Sequence, residues 1–250
     1  MVSKNELTMM IMGGFGNQIF QICQLHEYKK LNVRVYADTS NFEKSKKEKT
    51  TTNRELVLPI NLFELDELNT YKRYLINTLQ RIQKSNIYPF KLNIYQEIND
   101  YNWKEVDLKR FNKAIGYWQD SSLITKNKQF IIKSLSKDKI FLEALNKSVL
   151  TGSTVLHVRR GDYLKLDENL SNDFYEKALD FCIKNIKNFH YNIFTDDCEW
   201  VKSNSLFKDA NKIYSDDSNI INIKNSFSNM LNNENYIVGN STFPLLAALL

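Results

Sequence analysis

Hydrophobic and polar positions along this chain change period several times, and each change marks an element. "LTMMIMG", Leu7 to Gly13, is an apolar run of strand type, and "GFGN" is a turn. "QIFQICQLHEYKKL" then repeats its apolar positions at helical spacing, and "VRVYAD" alternates again. That succession predicts a βαβ unit. From about Leu56 to Leu150 the pattern is mostly helical and polar-rich, interrupted by "IYPF" around Pro89 and by the aromatic "GYWQD", Gly116 to Asp120. A second alternation starts at Thr154 with a strand to Val158 and a helix through "DFYEKALDFCIKNIKNF". It continues with strand "YNIFTDD", short helix "CEWVKSNSLF", strand "KIYS", a helix near "SFSNMLNN", strand "YIVG" and a helix beginning at Ser241 or Thr242. Repeated strand and helix alternation implies parallel sheets with helices on both faces. Two such sheets with a cleft between them, divided near residues 145–153, is the economical architecture. No internal repeat or low-complexity linker is visible.

Composition narrows the class. A chain of 250 residues, 42% hydrophobic and 25% charged, is globular and can bury a sizeable core. Its formal net charge is +5, but much of the basicity lies in "EKSKKEK", Glu43 to Lys49, and in scattered lysines, the pattern of a solvated face. No RNA- or DNA-binding motif accompanies it, so nucleic acid is not the expected partner. Cys23, Cys182 and Cys198 are few, odd in number and unpaired with histidines at zinc spacing, which predicts a reducing compartment and no zinc site. "MVSKNELTMMIMGG" lacks a leader pattern and no run of eighteen apolar residues occurs, so a cytosolic protein is expected. The final "FPLLAALL" stops without a polar tail, as if a longer chain had been cut. It could bury in a core, pair with another chain or rest peripherally on a membrane surface.

The candidate chemistry begins at "TVLHVRRGDY", Thr154 to Tyr163. Two arginines close an apolar strand there, with His157 and Arg159 on one face and Arg160 opening the turn that Gly161 permits. Ligands of α/β proteins bind at that end of strands, and a guanidinium fork matches phosphate oxygens. An anion is therefore the expected partner, against the plainer reading of a surface ion pair between Arg160 and Asp162. "GGFGNQIF", Gly13 to Phe20, offers backbone amides and a helix N-terminus to an anion, or is simply a tight βα turn. Its spacing is neither the dinucleotide fingerprint nor a P-loop. Asp196 and Asp197, with Glu199, could form a metal-binding cluster, but capping the helix near Glu199 is the preferred reading. Asp216 and Asp217 read as a turn, His26 and His190 as surface or packing residues, and the "RGD" at Arg160 as coincidence.

Taken together and in order, "GGFGNQIFQ", "GYWQ", "HVRRGDY", "FTDDCEW" and "NSTF" resemble the GT11 family, the α-1,2-fucosyltransferases, from Gly13 to Phe243. The resemblance implies a GT-B-like enzyme of two Rossmann-like α/β domains with parallel sheets facing a cleft. Residues 1–150 would be the acceptor side with a helical insertion, and 151–250 the nucleotide-sugar domain, cut short at its end. It implies transfer of L-fucose from GDP-fucose, with inversion, to the 2-hydroxyl of a terminal galactose in a glycan or lipid-linked saccharide, at the cytosolic face of a membrane and without a metal or other cofactor. It places the donor at Gly14, Gly16, Asn17, His157, Arg159, Arg160, Ser241, Thr242 and Phe243, with Arg159, Arg160 and Asp162 in the catalytic group. Asp162 would orient, and Asp167 or Glu168 is the candidate base that takes the acceptor hydroxyl's proton.

Two departures from the family pattern stand out. Ser226 stands where members carry an aspartate, a candidate contact to guanine, and Pro244, Leu245 and Leu246 replace the aromatics that usually follow NSTF. Two rival readings follow: a transferase of the same fold using another nucleotide sugar or making another fucose linkage, and a non-catalytic glycan- or nucleotide-binding module.

Overall fold

A computed structural model of the chain describes residues 5–43, 54–84, 93–96, 111–215 and 219–250. The apolar run that opens the sequence pattern becomes strand β1 (Glu6–Met10), followed by helix α1 (Phe15–Lys30) and strand β2 (Arg34–Asp38). Helix α1 begins earlier than its apolar spacing suggests. Phe15, Gly16 and Asn17, expected in the turn, form its first turn, and the turn itself is Gly13–Gly14. The first half of α1 is buried nearly all round, from Gln18 through Cys23 without a break, and the helix packs on β2.

The stretch expected to be mostly helical also contains strands: β3 (Asp66–Glu67), β4 (Asn93–Gln96) and β5 (Phe111–Ile115), beside helices α2 (Thr70–Lys84) and α3 (Ser121–Leu135). Strand β5 lies next to β1 in the interior of the sheet, yet its sequence, "FNKAI", hides this. Asn112 and Lys113 are buried polar residues on it. Asn112 donates through Nδ2 to the Glu6 carbonyl at 2.8 Å, and Lys113 Nζ reaches Gln80 Oε1 at 3.4 Å. Such bonds offset the cost of removing polar groups from water, so the strand is stable without an apolar signature. "IYPF", most of "EKSKKEK" and the Asp216–Asp217 pair lie outside the described residues.

The second alternation resolves much as the spacing predicts. Helix α4 (Lys139–Leu145) precedes strand β6 (Leu150–Val158), the one-turn helix α5 (Tyr163–Leu166) and helix α6 (Asn172–Asn185). Then come β7 (His190–Thr195), α7 (Cys198–Ser203), β8 (Lys212–Ser215), α8 (Ile220–Met230), β9 (Asn233–Ile237) and α9 (Thr242–Leu249). Leu156 and Val158 on one face of β6 join Tyr175, Leu179, Ile193, Val201 and Phe207 in a core. By the two-residue period of a strand, Val155 and His157 face the other way. There Phe141 meets Phe227 edge-on at 5.9 Å, and Phe227 lies 5.5 Å from Phe243.

By its contacts the chain divides into Met1–Ile131 and Ile132–Leu250. The division falls nearer the amino terminus than residues 145–153, because α4 packs on α8. Lys224 Nζ meets Asp138 Oδ2 at 2.6 Å, and Asn232 Nδ2 donates to the Ala144 carbonyl at 2.8 Å. Both sheets are parallel throughout their described pairings, in the orders β3-β2-β1-β5-β4 and β8-β7-β6-β9. In each, the chain first winds outward in one direction and later places a strand on the other side of the starting strand. The reversal lies between β1 and β5 in the first sheet and between β6 and β9 in the second. Such switch points open a crevice at the carboxyl ends of the strands. Among the described residues no helix is long and apolar enough to cross a membrane.

Helix α1 is fastened to α3 by charge. Glu27 pairs with Lys30 at 2.6 Å and with Lys126, and Lys30 Nζ also donates to Asn127 Oδ1 at 3.1 Å. Beside them His26 stacks on Phe130 at 3.6 Å, a packing role. Burial alone would raise the Glu27 pKa, but hydrogen bonds from Lys126, Lys30 and Asn127 outweigh it and bring the carboxyl down to about 2. A carboxylate depressed in the folded state contributes stability above its unfolded pKa and loses it as pH falls through the folded one. Wild-type stability should therefore decline between about pH 4.5 and 2 in a step that Glu27→Gln lacks, with the variant about 1 kcal/mol less stable at pH 7. Urea unfolding of both proteins across that range checks this.

Candidate functional site

The carboxyl end of β6 carries "RRGDY" into the second sheet's switch point. Both guanidinium groups meet carboxylates of this chain. Arg159 donates from Nε and a terminal nitrogen to Asp162 Oδ1 at 3.0 and 2.7 Å, and its other terminal nitrogen meets Asp196 Oδ2 at 3.0 Å. Arg160 donates from Nε to Asp197 Oδ2 at 3.1 Å, and its guanidinium lies 3.8 Å above the Trp200 ring. The plainer alternative, an ion pair between Arg160 and Asp162, does not form: Asp162 holds Arg159, three residues away, because the turn at Arg160–Gly161 folds it back. Arg160 turns instead to the strand next door. Among the described residues its two terminal nitrogens make no hydrogen bond.

The acidic pair after β7 divides its work. Asp197 caps α7 by accepting from Trp200 N at 3.1 Å, as the capping reading expects. Asp196 is no cap: its Oδ1 accepts the Arg160 backbone N–H at 2.9 Å. A Cβ on Gly161 would approach Asp196 Oδ2 to 2.5 Å, so glycine is what lets the carboxylate lie against the turn. Glu199 points outward and pairs with Lys202 at 3.3 Å.

The loop after β9 closes the other side of the same crevice. Ser241 caps α9, accepting from Phe243 N at 3.4 Å, and the ring of Phe243 lies 6.0 Å from buried His157. Asn240 binds the loop after β6 twice: its carbonyl accepts from Tyr163 Oη at 3.3 Å, and its Nδ2 donates to the Glu168 carbonyl at 2.8 Å. His157, Arg159, Arg160, Asp162, Ser241, Thr242 and Phe243 therefore gather at one strand-end crevice. Asp167, in a left-handed backbone conformation, and Glu168 are exposed just after α5. Ser226 is buried, and its hydroxyl donates to the Ser215 carbonyl at 2.9 Å, tying α8 to the end of β8.

The first sheet's switch point brings together the other two motifs. Gln21 accepts from Met12 N at 2.9 Å and donates to the Gly116 carbonyl at 2.8 Å. Gln18 donates to the carbonyls of Gly13 and Glu55 at 3.0 and 2.8 Å and accepts from Val57 N at 3.1 Å. Gln119 Nε2 donates to Asn17 Oδ1 at 2.8 Å. Gly13 has φ +79°, and a Cβ there would meet Asn17 Nδ2 at 2.8 Å and the Tyr117 ring at 3.0 Å. Buried Trp118 also has a positive φ, 52°. Gly14 precedes α1 and Gly16 lies within its first turn. The sequence reading omitted Gln18, Gln21 and Gln119. For Gln18 and Gln21 the available signal was an amide among the apolar positions of a helix.

The family profile described as Glycosyl transferase family 11 matches residues 4–250. The chain belongs to that family. Among solved structures, two of the fucosyltransferase NodZ from Bradyrhizobium are similar at 11% identity. One has a TM-score of 0.47 and covers 98% of this chain and 91% of the other, and the second has 0.45 with 98% and 92%. A third, of NodZ alpha-1,6-fucosyltransferase soaked with GDP-fucose, has a TM-score of 0.44 and 11% identity over 98% and 92%. A search of curated proteins finds no match.

In this family 11 glycosyltransferase, Trp200 is the surface on which Arg160 rests. A desolvated cation–π contact contributes about 1–2 kcal/mol. If Arg160 binds the sugar donor, Trp200→Ala should raise the donor KM about 5–30-fold, and Trp200→Phe should recover part of it. Because Trp200 also packs 5.7 Å from Phe207, melting curves are recorded alongside. A fall in stability with an unchanged donor KM would make the ring purely structural.

Proposed function

We propose that the protein is an inverting fucosyltransferase that takes L-fucose from GDP-fucose and places it on the 2-hydroxyl of a terminal galactose. Family membership makes it a glycosyltransferase. The reading rests on the paired arginines at the β6 strand end beside the NSTF turn, within the motif order of the α-1,2-fucosyltransferases. Its logic is electrostatic. As the bond from the sugar's C1 to the diphosphate oxygen breaks, negative charge grows on the departing diphosphate, and preorganised positive groups stabilise the transition state more than the ground state.

Arg160 carries its guanidinium on Trp200 and spends its Nε on Asp197. Arg159 stands beside it, and Ser241 and Thr242 start α9 across the crevice. The residues 132–250 thus form the donor-binding unit in this proposal, with His157 and Phe243 toward the nucleotide. The glycine turn with Gly14, Gly16 and Asn17 is the first unit's substrate-binding edge. Asp167 or Glu168, exposed at the rim, takes the proton from the attacking hydroxyl. No metal is needed, because arginine supplies the charge a divalent ion would otherwise bring. The reaction takes place at the cytosolic face of a membrane, on a glycan or lipid-linked acceptor.

Buried Ser226 favours one second reading, a donor with another base, because its hydroxyl is committed to the Ser215 carbonyl. Calorimetry with GDP and UDP separates the two.

Incubation with GDP-fucose and a panel of galactosides, followed by linkage analysis of the product, tests the main proposal. A 1→2 linkage is expected, and another linkage or no transfer overturns it. EDTA should leave the initial rate nearly unchanged, whereas a loss restored by Mn²⁺ would assign the chemistry to a metal. Alanine at Arg159 or Arg160 should lower kcat by about 10²–10³ or more, and lysine should recover only part because it lacks the planar fork. His157→Ala should act mainly on donor KM. Near-wild-type kcat in both arginine variants would make the pair structural.

A further inference from the structure

We propose that Asp162 is a displaceable carboxylate that occupies the diphosphate's place on Arg159 and so sets the affinity for the nucleotide. This rests on the proposed function, since it assumes a diphosphate-bearing ligand at the β6 strand end. The first observation is the charge of the cluster. Among the described residues, two guanidinium groups, Arg159 and Arg160, stand with three carboxylates, Asp162, Asp196 and Asp197, an excess of one negative charge within that set. A multiply charged anion added to that arrangement meets repulsion as well as attraction. One carboxylate has to give way.

The three are not equivalent. Asp196 is fixed to the backbone by the Arg160 N–H and lies against Gly161, while Asp197 is fixed by the Trp200 N–H as the cap of α7. Each therefore shapes the fold as well as the charge. Asp162 precedes α5, and its side chain makes no capping bond to that helix. Its contact with Arg159 is nevertheless the closest of the set, 2.7 Å to the terminal nitrogen and 3.0 Å to Nε, both from the single oxygen Oδ1. Those two nitrogens form one of the edges on which a guanidinium binds two oxygens of a phosphate side by side. Asp162 thus holds the donors that a diphosphate would use. Its side chain is 22% exposed, so water can receive the carboxylate when it leaves.

The exchange is one of ion partners and makes or breaks no covalent bond. Before binding, Arg159 is neutralised on both edges by Asp162 and Asp196. Once a diphosphate takes the Nε edge, Arg159 keeps Asp196 and Asp162 turns to solvent. The intramolecular carboxylate is then a competitor present at every moment, and it weakens nucleotide binding by the free energy of its own contact. It also keeps the Nε edge of Arg159 occupied between turnovers, when bare donors in a half-buried crevice would be costly.

The test is a change of sign. Asp162→Asn keeps the shape and an acceptor oxygen but removes the competing charge, so GDP should bind about tenfold more tightly than to wild type, with the melting temperature within the range of a folded protein. An Asp162 that merely orients Arg159 gives the opposite result, weaker binding. Asp196→Asn serves as contrast and should weaken binding, because that carboxylate also holds the turn. Isothermal calorimetry on the full chain with GDP, UDP and inorganic pyrophosphate reads all three proteins. An unchanged or larger Kd in Asp162→Asn for every ligand that binds overturns the proposal. If pyrophosphate or UDP binds and GDP does not, the GDP-fucose reading fails while the ratio of variant to wild type still decides the role of Asp162. If none of the three binds either protein, both readings fall.

Discussion

Arginine held by carboxylate at the end of β6 is the interaction on which the second unit's architecture turns. A guanidinium that leaves a buried strand must find partners or stay in water, and partners here come from three places in the chain: the turn it opens, the end of the neighbouring strand β7, and the start of α7. Satisfying Arg159 and Arg160 therefore fixes where β6 ends, how tightly the Gly161 turn folds and where α7 begins. Half-buried pairs of this kind contribute little net stability against well-packed apolar side chains, but breaking one partner is costly. Their value lies in specificity: Asp196 and Asp197, each also bonded to backbone, set how the end of β6 meets β7 and α7.

Much of this was legible in the chain. The alternation after Thr154 predicts the order of strands and helices in the second unit, except for the one-turn helix α5 and the early start of α8, because β6 and β7 carry the apolar runs of strands buried on both faces. The motif residues could be expected at one crevice because parallel strands deliver their carboxyl ends to one edge. Less visible was β5, whose Asn112 and Lys113 satisfy their polar groups against the Glu6 carbonyl and the side chain of Gln80. Pairings among the acidic residues were also hidden, since spacing along the chain favours a local partner. Only the fold brings Asp196 and Asp197 nearly forty residues back to the arginines.

Both sheets repeat one plan. A glycine-bearing loop follows the strand from which the winding starts, and a second loop follows the strand laid on its other side. In the first sheet these are the Gly13–Gly14 turn and the Tyr117–Gln119 segment, and in the second the Arg160–Gly161 turn and the Asn240–Ser241 segment. The five stretches singled out in the sequence are far apart along the chain but meet these four loops and the end of β7.

The means of holding the loops nevertheless differs between the two units, and the difference reaches solution behaviour. The first unit's crevice is stitched by neutral carboxamides, Gln18, Gln21 and Gln119 with Asn17, several of them buried. Such bonds carry no net charge and do not titrate between acid and alkaline pH. The second unit's crevice is stitched by full charges within reach of solvent, which added salt weakens over a Debye length of about 8–10 Å. The amide-bound crevice is thus a shape indifferent to the ionic medium, while the charge-bound one is responsive to it, so added salt loosens one set of loops and leaves the other set as it was.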